Sequence, residues 1–267
     1  MISAEPARSD AWSRPLIRWR PAWIAQLPPL RPGRVDVRCI WAPEWLAESD
    51  EIEAVLSVAE RARARRFHHR RDHDRYVVQA GLLRRVLAHY AKCSPQSLRF
   101  HSGAKGKPAL HPSSGLDDIA FNLSHSAGLI LLAMSVGVEV GVDLEQLRPI
   151  PEQGAIADTH FTPSETAALA TSPEASRTEG FYRLWTAKEA VLKATGDGIS
   201  ELLGKVQIVL NADGGLELRR APSGWPTTPG WSLWRLDPAE EFIGTLAVPV
   251  PSIEVSTGWL RPVTIGF

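Results

Sequence analysis

The sequence has 267 residues, enough for one large domain or for two smaller halves that share a core. Its hydrophobic share of 44% and charged share of 22% are ordinary for a globular protein, and its formal net charge of zero excludes binding to nucleic acid or to a membrane surface through overall charge. Two cysteines provide neither a disulfide framework nor a metal-binding spacing, and the most apolar run, 129–142, is too short to span a bilayer. We therefore expect a soluble, reduced, cytoplasmic protein.

The basic residues are distributed unevenly. Six of the 30 are Lys and 24 are Arg, and nine of the Arg lie between Arg61 and Arg85. Only Asp72 and Asp74 offset them in that window. A local excess of this size predicts an anionic partner.

The first half of the chain begins with residues 1–34, which are rich in Pro, Arg and Trp and have no sustained periodicity. We interpret them as an N-terminal extension that is either poorly structured or wrapped around the body. Alternation and helical spacing then predict a strand, two helices and four more strands, over residues 35–41, 50–66, 72–92, 98–101, 107–110, 129–135 and 139–144.

The second half repeats the order of helices followed by strands. The predicted helices cover residues 163–170 and 179–195, and the strands cover 206–210, 216–219, 232–236 and 242–248. This repetition predicts an α+β fold with two similar subdomains, over residues 35–145 and 146–267.

The segment Val138 to Glu145 ends with two carboxylates close together on a predicted strand, Asp143 and Glu145. Because alternate residues of a strand share a face, Asp143 and Glu145 lie together with Gly141, while the intervening apolar residues face a core. Two carboxylates beside a glycine suit a hard cation such as Mg²⁺. A half-exposed strand with a solvated acidic face is the alternative interpretation.

The segment Trp185 to Lys193 places Glu189 and Lys193 four residues apart on a predicted helix. They are either a surface ion pair, worth about 0.2–0.5 kcal/mol, or a metal or proton ligand beside a phosphate ligand.

The segment Phe121 to Ser126 offers hydroxyl and imidazole groups in a predicted turn, which either bind phosphate oxygens or simply complete the turn. Gly106-Lys107-Pro108 is not a nucleotide-binding loop of the Walker type.

The order and spacing of these motifs resemble those of the Sfp-type 4′-phosphopantetheinyl transferases, over about residues 40–248. The matching segments are Arg66-Phe67, Arg75 with Leu82-Leu83-Arg84, Gly106-Lys107-Pro108, Asn122 to Ser126, Gly141 to Glu145, Phe161 to Glu165 and Trp185 to Lys193. The chain departs from the family in the extension before Val35 and in having mostly Arg in the first basic helix.

The resemblance implies two α+β subdomains related by a pseudo-twofold axis, with coenzyme A in the cleft between them. It implies an enzyme that transfers the 4′-phosphopantetheine group of coenzyme A to a serine of an apo acyl or peptidyl carrier protein. The other product is 3′-phosphoadenosine 5′-phosphate, and the reaction depends on Mg²⁺. We expect a monomer, because the two halves already complete the cleft. Carriers of fatty-acid, polyketide and nonribosomal-peptide synthesis all remain open.

The resemblance also implies roles at the reaction centre. Asp143, Glu145 and Glu189 would hold Mg²⁺, and Glu189 would also accept the proton of the carrier serine. Lys193 would contact the pyrophosphate, with help from Lys188.

Further residues would bind coenzyme A away from the reaction centre. Arg75 and His125 would hold the 3′-phosphate, while Lys107 and Ser124 would line the path of the adenine and phosphates. Arg61 and Arg63 stand where the family has basic nucleotide contacts, although a solvated basic helix face explains them nearly as well.

Two other functions stay open at the level of sequence. One is a module that binds coenzyme A or a carrier protein but has lost catalysis; the retention of Asp143, Glu145 and Glu189 argues against it. The other is a magnesium-dependent phosphohydrolase acting on nucleotides, which would release product without any carrier protein.

Overall fold

The computed structural model describes residues 19–103, 106–114, 118–196, 202–211, 213–225 and 230–262. Over its first half the chain forms β1 (Arg20–Ala22), β2 (Arg34–Trp41), α1 (Ser49–Ala54), α2 (Val58–Ala64), α3 (Arg70–Ala91), β3 (Phe100–Ser102), β4 (Pro108–Leu110), β5 (Ile119–Ser126), β6 (Leu129–Val136) and β7 (Gly141–Gln146). Over its second half it forms α4 (Gln153–His160), α5 (Pro163–Thr171), α6 (Glu174–Thr195), β8 (Gln207–Leu210), β9 (Leu216–Arg220), β10 (Ser232–Leu236), β11 (Phe242–Val248) and β12 (Glu254–Leu260).

Two sheets organise these elements. A five-stranded sheet has the order β1-β12-β2-β6-β5, and a three-stranded sheet has the order β10-β11-β7. The strands β3 and β4 form one separate hairpin, and β8 and β9 form another. The α+β fold predicted from the sequence is confirmed.

The hydrophobic core lies between four layers. One cluster, which includes Leu82 and Ile130, joins α3 to one face of the five-stranded sheet. A second, with Leu131 and Val142, joins the other face to the three-stranded sheet. A third, with Val191, joins the three-stranded sheet to α6. Each long helix therefore covers the outer face of one sheet, and the two sheets pack on each other.

Most of the predicted elements occur where the periodicity places them, but the helix expected over residues 50–66 is divided into α1 and α2. The cause is Ser57, whose hydroxyl accepts a hydrogen bond from the Glu60 amide while the Glu60 carboxylate accepts one from the Ser57 amide. This capping box starts a new helix. Helix α4 was not predicted, because Ala157 is its only buried residue and so no apolar stripe marks it.

The sequence interpretation also missed the strands β5 and β12, besides the short β1. The predicted turn at Phe121 to Ser126 is wrong: these residues belong to β5, paired antiparallel to β6 along its length. The final strand β12 runs parallel to β2 and lies inside its sheet, between β1 and β2.

The N-terminal segment contributes to the body of the protein from residue 19 onward. Residues Arg20–Ala22 pair in parallel with β12, and Leu27 is buried in the core beneath α3. Residues 1–18 of the predicted extension lie outside the described residues. The division into subdomains at residue 145 and the pseudo-twofold axis stay predictions; β12, from the later half, pairs with β2 of the earlier half.

Candidate functional site

The polar face of β5 holds β7 by side-chain hydrogen bonds. Alternate residues of β5 point toward β7: the Asn122 side-chain oxygen accepts from the Val142 amide at 2.9 Å, and the Ser124 hydroxyl donates to Asp143 Oδ1 at 2.8 Å. In the same way, the Ser126 hydroxyl donates to Glu145 Oε2 at 3.0 Å. The motif thus positions both carboxylates. Its period of two was the signal by which Ser126 could have been found from the sequence.

Asp143 is buried, with 4% of its surface exposed. Its Oδ1 accepts hydrogen bonds from Ser124 and from Lys193 Nζ, the latter at 2.5 Å, whereas its Oδ2 is buried with no partner. Desolvation raises the pKa of this carboxyl, and the Lys193 ammonium opposes that shift. The predicted alternative of a solvated acidic face is therefore excluded for Asp143.

Glu189 lies on α6, one turn before Lys193, and is only 6% exposed. Its pKa is raised from the ordinary 4.5 to about 7, mainly by burial and then by the charges of Asp143 and Glu145, while the Lys193 ammonium opposes the shift. The pKa of Glu145 is also raised, first by desolvation and then by Asp143. These couplings place the three carboxylates and the Lys193 ammonium in one electrostatic cluster, so Glu189 and Lys193 are not an isolated surface pair.

The chemistry of this cluster fits a hard divalent cation. All three acidic groups offer oxygen atoms, the charge of Asp143 raises the pKa of both Glu145 and Glu189, and Asp143 Oδ2 is buried without a hydrogen-bond donor. Across the described ranges, however, no three His, Cys, Asp or Glu side chains are gathered closely enough to hold a metal ion. Binding by all three carboxylates would thus require them to close around the ion, with Lys193 leaving Asp143.

A basic cleft of about 710 Å³ opens beside this cluster. Its wall includes the basic side chains of Arg70, Arg71, Arg75, His125 and Arg148. Desolvation in the cleft lowers the pKa of His125, and the positive charges of Arg75 and Lys193 lower it further. Of the residues predicted to bind coenzyme A, the structure brings Arg75 and His125 together here.

Sequence models of two families cover most of the chain. The 4′-phosphopantetheinyl transferase superfamily matches residues 139–246, and the 4′-phosphopantetheinyl transferase N-terminal family matches residues 40–137. The 4′-phosphopantetheinyl transferase HetI of Nostoc sp. is 35% identical over 202 residues, which are 76% of this chain and 82% of the relative. The chain belongs to the 4′-phosphopantetheinyl transferase family.

A second relative agrees with this assignment. The 4′-phosphopantetheinyl transferase Sfp of Bacillus subtilis is 29% identical over 179 residues, 67% of this chain and 77% of the relative. The holo-[acyl-carrier-protein] synthase of Neisseria meningitidis, a solved structure, covers 41% of this chain and 95% of its own at 24% identity, with a TM-score of 0.35. That structural likeness is too distant to assign function. The resemblance inferred from the sequence motifs is confirmed, and the protein is a transferase.

Lys188 of this transferase lies away from the cluster. Its side chain is fully buried, its ammonium donates to Glu165 Oε2 at 2.6 Å and it lies 5.0 Å from the centre of the Phe161 ring. The Glu165 carboxylate also accepts from the amide and hydroxyl of Thr162 and from the amide of Ile208. The predicted contact between Lys188 and coenzyme A would require the ammonium to leave this buried network, so we assign Lys188 no role at the reaction centre.

Arg61 and Arg63 were also predicted to bind coenzyme A. In the part of the chain that the structure describes, neither residue lines the basic cleft. Arg61 donates to the carbonyl oxygen of Leu56, and the Arg63 guanidinium lies 5.3 Å from the centre of the Tyr76 ring. Ser124 is buried under Lys193 and Asp143, and Lys107 bonds to three protein oxygens. For all four residues, binding of coenzyme A stays a prediction.

No helix of the transferase, as far as the chain is described, combines the length and apolar character needed to cross a membrane.

Proposed function

We propose that this transferase moves the 4′-phosphopantetheine group of coenzyme A to a serine of an apo carrier protein, with Mg²⁺ as cofactor and 3′-phosphoadenosine 5′-phosphate as the second product. The observation that carries the proposal is the electrostatic cluster of Asp143, Glu145, Glu189 and Lys193, which lies beside a basic cleft. An acidic centre suits a cation and a proton acceptor, and the cleft suits an anionic donor.

Glu189 is the proton acceptor in this proposal. The serine oxygen must lose its proton as it forms a bond to the β-phosphorus of coenzyme A, while the bond from that phosphorus to the bridging oxygen breaks. Without a bound cation the pKa of this carboxyl is about 7, so Glu189 can hold a proton closer to neutral pH than an ordinary Glu can. Because burial is the main cause of this shift, the pKa of Glu189 depends on how α6 packs.

Lys193 supports the negative charge that develops on the leaving phosphate. In the structure its ammonium is 2.5 Å from Asp143 Oδ1 and 3.2 Å from the Ser124 hydroxyl, and 20% of the side chain is exposed. We propose that this ammonium turns from Asp143 to a pyrophosphate oxygen when coenzyme A binds. Once there, the ammonium would stabilise the transition state more than the ground state, because negative charge accumulates on the leaving phosphate as the bond breaks.

The carboxylates of Asp143, Glu145 and Glu189 are the proposed holders of Mg²⁺. Bound there, the ion would supply positive charge to the pyrophosphate oxygens as negative charge accumulates on them. The hydroxyls of Ser124 and Ser126 bond to two of the three carboxylates and so orient them for this role.

The basic cleft is the proposed site of the 3′-phosphate, with Arg75 and His125 as its main ligands. Both side chains line the cleft, and Arg75 already forms a pair with Asp72 at 3.2 Å that keeps it in place. We further propose a monomer, because one chain supplies both the acidic cluster and the basic cleft. A cytoplasmic location is proposed because the sequence has only two cysteines, and an acidic carrier protein because the Arg-rich segment 61–85 would attract it.

The direct test is intact-mass analysis of several purified apo carrier proteins after incubation with the enzyme, coenzyme A and Mg²⁺. We expect one carrier class to gain the mass of one phosphopantetheine, and the gain to require Mg²⁺. Binding of coenzyme A without any mass gain on carriers would support a module without catalysis. Release of 3′-phosphoadenosine 5′-phosphate with no carrier present would instead support a phosphohydrolase.

A further inference from the structure

The Lys107 side chain contacts three protein oxygen atoms, and binding of coenzyme A does not explain these contacts. Its ammonium nitrogen lies 2.6 Å from Glu139 Oε2, 3.0 Å from the carbonyl oxygen of Val140 and 3.3 Å from the carbonyl oxygen of Ala194. The side chain is 16% exposed, so these contacts are largely shielded from water. The ammonium thus bonds both to the segment that enters β7 and to the last turn of α6.

The residues on either side of Lys107 fix the position of its backbone. Gly106 has a φ of +89°, a conformation that favours glycine, and the Gly103 amide donates to the Lys107 carbonyl oxygen at 2.8 Å. Pro108 then begins β4 and pairs with Ser102. Within Gly106-Lys107-Pro108, the first residue makes the turn and the last starts the strand, which leaves the lysine side chain to reach across to α6.

The two segments that Lys107 joins are packed backbone to backbone. A Cβ atom at Gly141 would lie 2.0 Å from the Ala190 carbonyl oxygen and 2.4 Å from the Ala194 amide nitrogen. The Ala194 carbonyl belongs to the last turn of α6, where carbonyl groups lack intrahelical partners and a cation is favoured. The Lys107 stem also lies near the end of that helix, since a Cβ atom at Gly196 would be 3.7 Å from Lys107 Cδ.

We propose that Lys107 is a positioning residue that holds the end of α6 against the start of β7. Val140 precedes Asp143 by three residues, and Ala194 directly follows Lys193. The Lys107 ammonium therefore connects the backbone segment that leads to Asp143 with the one that carries Lys193. Holding these segments together fixes Glu189 and Lys193 relative to Asp143. The inference rests on the proposed function and differs from a direct contact with coenzyme A, because Lys107 acts through α6.

The test uses Lys107→Met in the full chain, with Glu139→Gln as the matched control. Methionine keeps a stem of similar length but cannot donate a hydrogen bond. The Glu139 side chain is 61% exposed, so its pair contributes little, and Glu139→Gln leaves both carbonyl contacts intact. For Lys107→Met we expect kcat to fall about ten-fold, as small misplacements of reacting groups do, with the KM for coenzyme A within about two-fold of wild type. Glu139→Gln should match the wild type in both constants.

A second measurement is independent of turnover. Hydrogen exchange of the backbone amides in the last turn of α6 should be faster in Lys107→Met than in the wild type or in Glu139→Gln. Only Lys107→Met loses the hydrogen bond from the Lys107 ammonium to the Ala194 carbonyl oxygen. If the Met variant does not fold, Lys107→Gln, which keeps a shorter donor, should show the same changes to a smaller extent.

Three results would overturn the inference. An increase in the KM for coenzyme A with unchanged kcat would make Lys107 a direct ligand. Faster exchange with unchanged kcat would make the contact purely structural, and unchanged exchange would show that Lys107 does not hold α6. If the wild-type enzyme transfers no phosphopantetheine, the proposed function fails, and the exchange measurement still reports on the contact by itself.

Discussion

Replacing Glu189 by Gln should stabilise the metal-free protein, and the gain should grow with pH. The folded state holds this carboxyl at a pKa of about 7 instead of 4.5, so it binds the proton more tightly than the unfolded chain does. In the wild type the charged carboxylate therefore destabilises the folded state. This effect is nearly absent below pH 4.5 and is complete above pH 7. A pKa raised by this amount lowers the free energy of unfolding of the wild type by about 3 kcal/mol at pH 8 and by less than about 1 kcal/mol at pH 5. Glutamine keeps the shape of the side chain and removes the charge.

The assay is urea unfolding with a metal chelator present, at several pH values between 5 and 8, for the wild type, Glu189→Gln and the exposed control Glu139→Gln. We expect the free energy of unfolding of Glu189→Gln to exceed that of the wild type by up to about 3 kcal/mol at pH 8, and the control to follow the wild type. Saturating Mg²⁺ should stabilise the wild type more than Glu189→Gln. A difference that does not change with pH, or a variant less stable at pH 8, would refute the assignment of Glu189 to a buried acidic cluster.

Three further predictions concern other parts of the molecule. His125→Ala should weaken coenzyme A about ten- to a hundred-fold but leave 3′-dephospho-coenzyme A nearly unaffected, measured by calorimetry; equal losses would make His125 structural. Lys188→Met should cost about 3–5 kcal/mol in urea unfolding, because it leaves the buried Glu165 carboxylate without a positive partner, and a loss below about 1 kcal/mol would show that the network relaxes. Deleting residues 1–34 should lower the melting temperature, because it removes β1 and the buried Leu27, yet preserve coenzyme A binding; a folded but non-binding product would place the segment in the site.

Much of the fold could be predicted because periodicity reports directly on burial. Helix α3 and strands β10 and β11 have clear apolar spacing, and the structure contains them within about two residues of the expected bounds. Strand β12 was missed because it lies between strands of another part of the chain, a pairing that no local pattern shows. The split at Ser57 depends on one capping box, whose effect on a continuous helical pattern is visible only in the hydrogen bonds.

The candidate site could be predicted by residue type and spacing but not by orientation. Asp143 and Glu189 were predicted to share a site, and their coupled pKa values support that proximity. Lys188 and Glu189 are consecutive in the sequence, yet one is paired in the core and the other belongs to the acidic cluster. Only the packing of α6 decides which lysine of the motif faces the site, so the sequence alone could not separate Lys188 from Lys193.

The central claim is that Asp143 and Glu189 hold the same Mg²⁺ ion. The most direct measurement is the rate of phosphopantetheine transfer against Mg²⁺ concentration for Asp143→Asn, Glu189→Gln and the double variant. We predict that either single change reduces the rate severely and raises the Mg²⁺ requirement, and that the double variant is little worse than either, because losing one ligand already disables the site. Near-wild-type rates with unchanged Mg²⁺ dependence in either single variant would contradict the claim and remove that residue from the metal site.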